Sequence, residues 1–243
     1  MRYAILADIH SNLTAFQAVL RDVEGHGRFE QLWCLGDVVG YGPEPHQCIE
    51  LLRVFDHLCI AGNHDWAAVG KIDTMDFNHD AATANRWTSA QLTESDKLYL
   101  QTLPRILIED RFTLVHGSPK DPLWEYLISP IAAQANSAFY STTFCLAGHS
   151  HVPVIFEFID DVVTKRVLID NETVCLGPNK LIINPGSVGQ PRDGDPRASY
   201  ALYDTDTNTV CLHRVSYDIE TTQRRMESEG LPVFLISRLA YGQ

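Results

Sequence analysis

Short apolar segments alternate with amphipathic ones over the first 160 residues. The segment RYAILAD is a predicted strand, and after it apolar residues recur at helical spacing from Leu13 to Val23. Asn12 or Thr14 is placed to cap this helix. Two more strands, QLWCLGD and HLCIAGNHD, are predicted on either side of a helix, PHQCIELLRVF. This βαβ order predicts a largely parallel sheet.

The pattern becomes helical from Asp80 to Leu103, where Thr93 and Asp96 match a capping box, so two short helices are expected. Three strands then follow: RFTLVHG, TTFCLAGHSH and VPVIFEF. The later runs TVCLG, KLIINPGS, SYALYD and TVCLHRVSYD predict antiparallel hairpins that form a second sheet. One or two helices are predicted over residues 219–243.

Domain organisation follows from what the sequence lacks. It contains no internal repeat, no low-complexity tract and no Gly/Ser-rich linker. We therefore expect a single α/β domain over residues 1–243, with two packed sheets, helices outside them and a helical overhang at about 78–103.

Charge and composition narrow the class of protein. The chain has 19 basic and 31 acidic residues, which gives a formal net charge of -12. No general nucleic-acid binding is therefore expected. The apolar start of the chain is too short for a signal peptide or a membrane span, which predicts a cytoplasmic protein with no membrane partner. The six cysteines form no CxxC pair, and we expect buried, reduced thiols.

Chemistry concentrates at the ends of five predicted strands, which finish as LADIH, CLGD, IAGNHD, LVHG and LAGHSH. The carboxyl edge of an open α/β sheet is where ligands bind, so these endings are expected to meet in one crevice. Seven side chains there are candidate metal ligands: Asp8, His10, Asp37, Asn63, His116, His149 and His151.

In two of these strand endings, two candidate ligands are separated by one residue. In an extended chain, Asp8 and His10 would lie on one face, and so would His149 and His151, which suits chelation. Histidine, carboxylate and amide ligands together favour manganese, iron or zinc over calcium. Seven ligands are too many for one metal, so we expect two divalent ions about 4 Å apart with a bridging hydroxide, as in hydrolysis at phosphorus.

His64 follows Asn63 directly and, in an extended chain, would point away from the metal that Asn63 faces. It is the candidate general acid for a leaving alkoxide, or a donor that holds a phosphate oxygen. Four other histidines are isolated in the sequence and are expected to be ordinary side chains: His26, His46, His57 and His213.

The strand-end motifs resemble those of the calcineurin-like metallophosphoesterases, whose pattern is DxH, GDxxG, GNHD/E, a separate His-Gly and GHxH. The matches run from Asp8 to His151 in the family's order and spacing. The resemblance implies a four-layer α/β/β/α sandwich of two mixed sheets. It also implies a first metal on Asp8, His10, Asp37 and His151, and a second on Asp37, Asn63, His116 and His149.

One departure from the family is informative. The protein Ser/Thr phosphatase branch has GDxxDRG, in which the aspartate orients the catalytic histidine and the arginine holds phosphate; this chain has GDVVGYG from Gly36 to Gly42. It is more similar to the small prokaryotic branch of phosphodiesterase-like and diadenosine tetraphosphatase-like proteins. Protein phosphatase activity is therefore the alternative, and the expected substrate is a small anionic phosphate ester.

Substrate contacts are less well defined. The loop from Asn184 to Arg197 is rich in glycine and proline, and Arg192 within it either holds a phosphate or is a solvated turn residue. Asn12 either touches substrate or only caps the first helix. The sequence does not choose between diester, monoester, cyclic nucleotide and dinucleoside polyphosphate.

Two other classes of function remain to be weighed. A non-catalytic scaffold that binds a protein partner on this fold would have lost His64 or several ligands, and here all are present. A Rossmann-type nucleotide binder would need GxGxxG after the first strand, and the spacing of Gly36, Gly40 and Gly42 does not provide it. Hydrolysis is the favoured hypothesis.

Overall fold

Two six-stranded sheets make up the centre of the protein in the computed structural model, which describes residues 1–160 and 162–243. The strands are β1 (Arg2–Leu6), β2 (Gln31–Cys34), β3 (His57–Cys59), β4 (Ile106–Glu109), β5 (Phe112–Val115), β6 (Phe144–Leu146), β7 (Val154–Ile159), β8 (Val162–Val167), β9 (Thr173–Cys175), β10 (Lys180–Asn184), β11 (Ala198–Asp204) and β12 (Thr209–Val215). The helices are α1 (Leu13–Gly25), α2 (Pro45–Arg53), α3 (Asn63–Ala68), α4 (His79–Gln91), α5 (Glu94–Thr102), α6 (Pro130–Asn136), α7 (Ile219–Ser228) and α8 (Val233–Arg238).

The first sheet has the strand order β3-β2-β1-β11-β12-β9, and the second has β4-β5-β6-β10-β7-β8. Strands β1, β2 and β3 are parallel, as the sequence predicts, and β5, β6 and β10 are parallel in the second sheet. The remaining pairs are antiparallel, so both sheets are mixed.

Alternating side chains of each strand pack in different layers. Ile5 of β1 packs between the two sheets with Trp33, Phe112 and Phe144, whereas the neighbouring Leu6 packs on the other face with Phe16 of α1. On the far face of the second sheet, a third cluster of buried side chains includes residues of α6. The layers are therefore helix, sheet, sheet and helix, and the expected α/β/β/α sandwich is confirmed.

The assignment of the late strands to a separate second sheet is wrong. Strands β9, β11 and β12 complete the first sheet, and β10 lies in the middle of the second. Strand β10 is buried on both faces: Leu181 and Ile183 pack between the sheets, and Ile182 packs in the outer cluster. Periodicity identifies such a strand but does not show which sheet it joins.

Local signals mark the helix ends well. Asn12 caps α1 by accepting a hydrogen bond from the Ala15 amide, and Thr93 and Asp96 form a capping box at α5. The predicted strand HLCIAGNHD is shorter than expected, because β3 ends at Cys59 and α3 begins at Asn63. All six cysteines are free; Cys175 is exposed and Cys211 half-buried, so only four fit the expectation of burial.

Candidate metal centre

The ends of β1, β2, β3, β5 and β6 meet at one edge of the two sheets. There Asp8, His10 and His151 form a buried group, named here the first cluster. The Nε2 atoms of His10 and His151 are 3.1 Å apart, and His151 Nε2 is 3.3 Å from Asp8 Oδ1. These side chains come from two different sheets.

Asp37, His116 and His149 form a second buried group beside it, the second cluster. His116 Nε2 lies 3.3 Å from Asp37 Oδ2 and 3.1 Å from Asn63 Oδ1. The same Asp37 oxygen is 3.6 Å from His10 Nε2 of the first cluster. Asp37 therefore stands between the clusters, and all seven candidate ligands of the sequence converge here.

Backbone carbonyls orient three of the imidazoles. Val39 O, Leu35 O and Gln190 O lie 3.2, 2.8 and 2.6 Å from the Nδ1 atoms of His10, His116 and His151, respectively. A carbonyl only accepts, so each Nδ1 carries the proton and donates it, and each Nε2 presents a lone pair to the centre. His149 has the opposite arrangement, since its Nε2 lies 3.2 Å from Trp124 O.

These tautomers provide a test of whether the site suits metal. The lone pairs of His10 and His151 face each other, and the lone pair of His116 faces two oxygen acceptors. Acceptors so close together are stable only with a cation or extra protons among them. Imidazole, carboxylate and amide donors suit divalent manganese, iron or zinc, so the residues fit the metals that the sequence predicts.

Electrostatics within the clusters are consistent with this interpretation. Burial lowers the pKa of His10, His149 and His151, which keeps these imidazoles neutral and able to bind metal at pH 7. Burial also acts to lower the pKa of His116, but the charge and hydrogen bond of Asp37 outweigh it and raise this pKa to about 10. The raised pKa shows that Nε2 of His116 favours a positive charge beside it, either a proton or a metal ion in the same position.

The backbone around the ligands is not extended, which corrects the geometric argument from the sequence. Asp8, His10, Asp37, His149 and His151 have φ values of 56°, 49°, 54°, 64° and 59°. Left-handed conformations cost non-glycine residues roughly 1–3 kcal/mol each and cluster at functional sites. The ligand pairs therefore meet through tight turns beyond the strand ends, and not by sharing a strand face.

Asp65 connects the second and third strand ends, a role that the sequence did not reveal. Its carboxylate accepts hydrogen bonds from the amides of Asp37, Val39 and Gly62 at 2.8, 3.1 and 2.9 Å. The loops that carry Asp37 and Asn63 are thereby fixed to each other. The only sequence signal was its place in the GNHD motif.

His64 lies beside both clusters as the second residue of α3, so the argument from an extended chain is wrong for this residue too. Its ring centroid is 5.0 Å from that of His10 and 4.3 Å from that of Tyr41. Its buried Nδ1 has no hydrogen-bond partner within the described part of the chain. Burial lowers the pKa of His64 to about 4.

The two predicted substrate contacts differ in placement. Arg192 lines a pocket at the second cluster, and its guanidinium donates to Gln190 Oε1 at 2.9 Å and to the Tyr41 hydroxyl at 3.4 Å. Asn12 is 1% exposed, and its amide bonds Gly189 O while its oxygen accepts from Ala15 N and Thr222 Oγ1. The geometry of Asn12 thus matches the capping alternative.

The pocket has a volume of about 130 Å³. Asn63, His64, His149 and Arg192 line it, and aromatic side chains surround them: Tyr41, Phe77, Trp124 and Tyr126. Asn78 and Ala81, at the start of α4, lie on its rim. Helix α4 is therefore next to the site, within the segment expected to overhang it.

The two-sheet sandwich matches the fold of solved metallophosphoesterases. The chain belongs to the calcineurin-like phosphoesterase superfamily, whose domain matches residues 1–208. The resemblance read from the motifs is thereby confirmed.

Individual relatives cover the chain to different extents. A metallophosphoesterase from Sphaerobacter thermophilus is 43% identical, with a TM-score of 0.91 over 100% of this chain and 99% of that one. An uncharacterised protein of Methanocaldococcus jannaschii is 36% identical over 99% of this chain and 98% of its own length. A symmetrical bis(5′-nucleosyl)-tetraphosphatase of Erwinia tasmaniensis is 26% identical over 54% of this chain and 48% of that protein.

Within residues 1–160 and 162–243, no helix has both the length and the apolar character needed to cross a membrane.

Proposed function

We propose that this protein is a metal-dependent phosphoric ester hydrolase that acts on a small phosphate ester. The observation that carries the proposal is the pair of buried acceptor clusters on either side of one Asp37 oxygen, next to a pocket that contains His64 and Arg192. Family membership supports the reaction class.

Two divalent ions are the proposed cofactors. Asp8, His10, Asp37 and His151 hold one, and Asp37, Asn63, His116 and His149 hold the other. Metals bound in this way polarise phosphoryl oxygens and generate a hydroxide nucleophile from water at neutral pH.

Arg192 is the proposed phosphate ligand. Among the described residues its partners are neutral, and its buried Nε has none, so its positive charge is not cancelled by a carboxylate. Its guanidinium contacts the hydroxyl of Tyr41, the residue that stands in this sequence where GDxxDRG has its arginine. The loop after β10 thus supplies the guanidinium that the second motif lacks.

His64 is the proposed general acid. A Cβ on Gly40 would lie 2.6 Å from His64 Nδ1, so glycine stands where the other branch places its orienting aspartate. Nδ1 faces Gly40, which leaves Nε2 to donate a proton to the leaving oxygen. Negative charge on a bound phosphate would act to raise the pKa of His64, against the burial and the charge of Arg192 that lower it.

Metal analysis combined with an activity assay tests the proposal. The purified protein is expected to contain about two metal ions and to hydrolyse a generic phosphodiester or phosphomonoester with added manganese, but not with a chelator. His64→Ala should keep the metals and lose turnover. Absence of metal-dependent turnover in the wild type would refute the enzyme hypothesis. Bound metal without turnover would favour the hypothesis of a partner-binding scaffold.

Hydrolysis of dinucleoside polyphosphates is a second candidate, favoured by two observations. The Erwinia tasmaniensis relative is named for this activity, and Phe77, Trp124 and Tyr126 give the pocket aromatic side chains on which a base can stack. We expect Trp124→Ala to raise the KM for diadenosine tetraphosphate without raising that for 4-nitrophenyl phosphate. Equal effects on both substrates would argue against base recognition.

A further inference from the structure

A third group of possible ligands lies at the opposite edge of the first sheet from the metal centre. Helix α1 ends near the start of β1, where the Arg2 side chain donates to the His26 carbonyl. Just there, Asp22, His26 and His213 each offer one ligand atom, and these three atoms lie within 4.8 Å of one another. No pattern in the sequence indicates this group, because His26 and His213 are far apart along the chain.

The fold fixes two of these side chains through one buried tyrosine. Tyr200 of β11 pairs with His213 of β12, and their rings stack with centroids 5.2 Å apart. The Tyr200 hydroxyl donates to Asp22 Oδ2 at 2.7 Å. The same oxygen is 3.4 Å from Nε2 of His26, the C-cap residue of α1. Tyr200 therefore orients the carboxylate and packs against one imidazole, as outer residues of metal sites do.

His213 is the most enclosed of the three side chains. It is only 7% exposed, whereas the side chains of His26 and Asp22 are 41% and 38% exposed. Its ring centroid is 4.3 Å from that of His26. Burial, followed by the charge of His26, lowers the pKa of His213, so the imidazole is neutral and has a free lone pair at pH 7. A neutral imidazole of this kind can give a ring-nitrogen lone pair to a cation held also by Asp22 and His26.

We propose that Asp22, His26 and His213 bind a zinc ion. Two imidazoles and one carboxylate form a ligand set that zinc accepts with a fourth position left open. That position faces a surface pocket of about 300 Å³ whose wall includes His26 and His213. The zinc ion joins the end of α1 to β12.

Zinc binding requires the three ligand atoms to move slightly closer together. Bond lengths of about 2.0 Å in a tetrahedral site place ligand atoms roughly 3.3 Å apart, less than the 4.8 Å limit seen here. The His26 side chain is 41% exposed and free to turn inward. His213 and Asp22 remain where Tyr200 holds them.

Equilibrium dialysis against micromolar zinc tests the site. Because the proposed metal centre would also take up zinc, the test uses Asp37→Asn as a background along with the wild type. In both, His26→Gln or Asp22→Asn is expected to remove one zinc equivalent per chain. His79→Gln, whose side chain is 90% exposed and belongs to neither group, is the matched control and should remove none.

A second readout separates ligation from a general effect of mutation. Zinc should raise the melting temperature of the Asp37→Asn protein and should not raise that of Asp37→Asn/His26→Gln, while phosphoesterase turnover of the single His26→Gln variant stays at the wild-type level. Equal zinc content in the His26, Asp22 and His79 variants would overturn the proposal. So would a zinc-dependent melting shift that survives His26→Gln.

Discussion

The first and second clusters have similar ligands but different surroundings. Three side chains of the first cluster are at most 1% exposed, and of these only His151 reaches the pocket. In the second cluster, Asp37 and His149 line the pocket, and His149 stacks on Tyr126, which is itself 47% exposed. If both clusters bind metal as proposed, the first position would be enclosed by protein and the second would be open to the pocket.

Replacing Asp37, which lies between the two clusters, should have the largest effect on metal content and turnover. Asp37→Asn removes the charge that both clusters share, while the amide oxygen can still accept the His64 backbone hydrogen bond seen at 2.9 Å. We expect loss of metal from both clusters and a fall in kcat of about 10³-fold or more, the scale of lost transition-state electrostatics. Metal analysis and steady-state kinetics measure both quantities.

Asp110→Asn is the matched control for this substitution. Asp110 is exposed and, like Asp37, has a positive φ, at 48°, which asparagine tolerates. It should leave metal content and kcat unchanged. If Asp37→Asn depleted one metal only, Asp37 would not be the shared ligand.

His149 and His151 allow the two clusters to be separated. Each single alanine variant should lose one metal equivalent, and the double variant should lose two, because the side chains belong to different clusters. His149→Ala/His116→Ala, with both changes in the second cluster, should still lose only one. Metal content after dialysis is the measurement, and identical losses in the two double variants would contradict the division.

His64→Asn should affect chemistry more than binding. Proton donation is worth roughly 10²–10⁴-fold, so kcat should fall within that range for an alkyl ester while both metals stay bound. A 4-nitrophenyl ester has a leaving group that needs no proton, and its hydrolysis should fall much less. An equal fall for both esters would favour the alternative in which His64 only holds a phosphate oxygen.

Comparison of sequence and structure shows which parts of this site are encoded locally. The seven ligands were predictable because each follows a short apolar strand, and the ends of parallel strands meet at one edge. The turns that aim them were not, since the left-handed backbone of Asp8 and His10 depends on hydrogen bonds to Gly36 and Asp37 of another loop. Nothing within the DxH motif specifies those partners.

Long-range packing explains the other differences. Strand β10 was predicted as a strand but grouped with β9, β11 and β12, because its place between β6 and β7 is set by side chains distant in sequence. His26 and His213 were judged isolated for the same reason: only the pairing of β11 with β12, against α1, brings them together. The periodicity of apolar residues therefore predicts individual strands and helices, whereas tertiary contacts decide which of them become neighbours.

The smallest predicted effect concerns the open side of the second cluster. The Tyr126 ring stacks on His149 with centroids 4.0 Å apart. In the described residues, a backbone carbonyl contacts Nδ1 of the other three imidazoles of the two clusters, whereas His149 has its carbonyl contact at Nε2. Tyr126→Ala should therefore loosen His149 and weaken metal binding at the second cluster by several-fold, below the 10–100-fold typical of a lost hydrogen-bonding partner. Tyr241→Ala, another exposed tyrosine, is the control. Chelator competition should show faster loss of one metal equivalent and an unchanged second one; faster loss of both would mean that the two clusters share a single barrier to solvent.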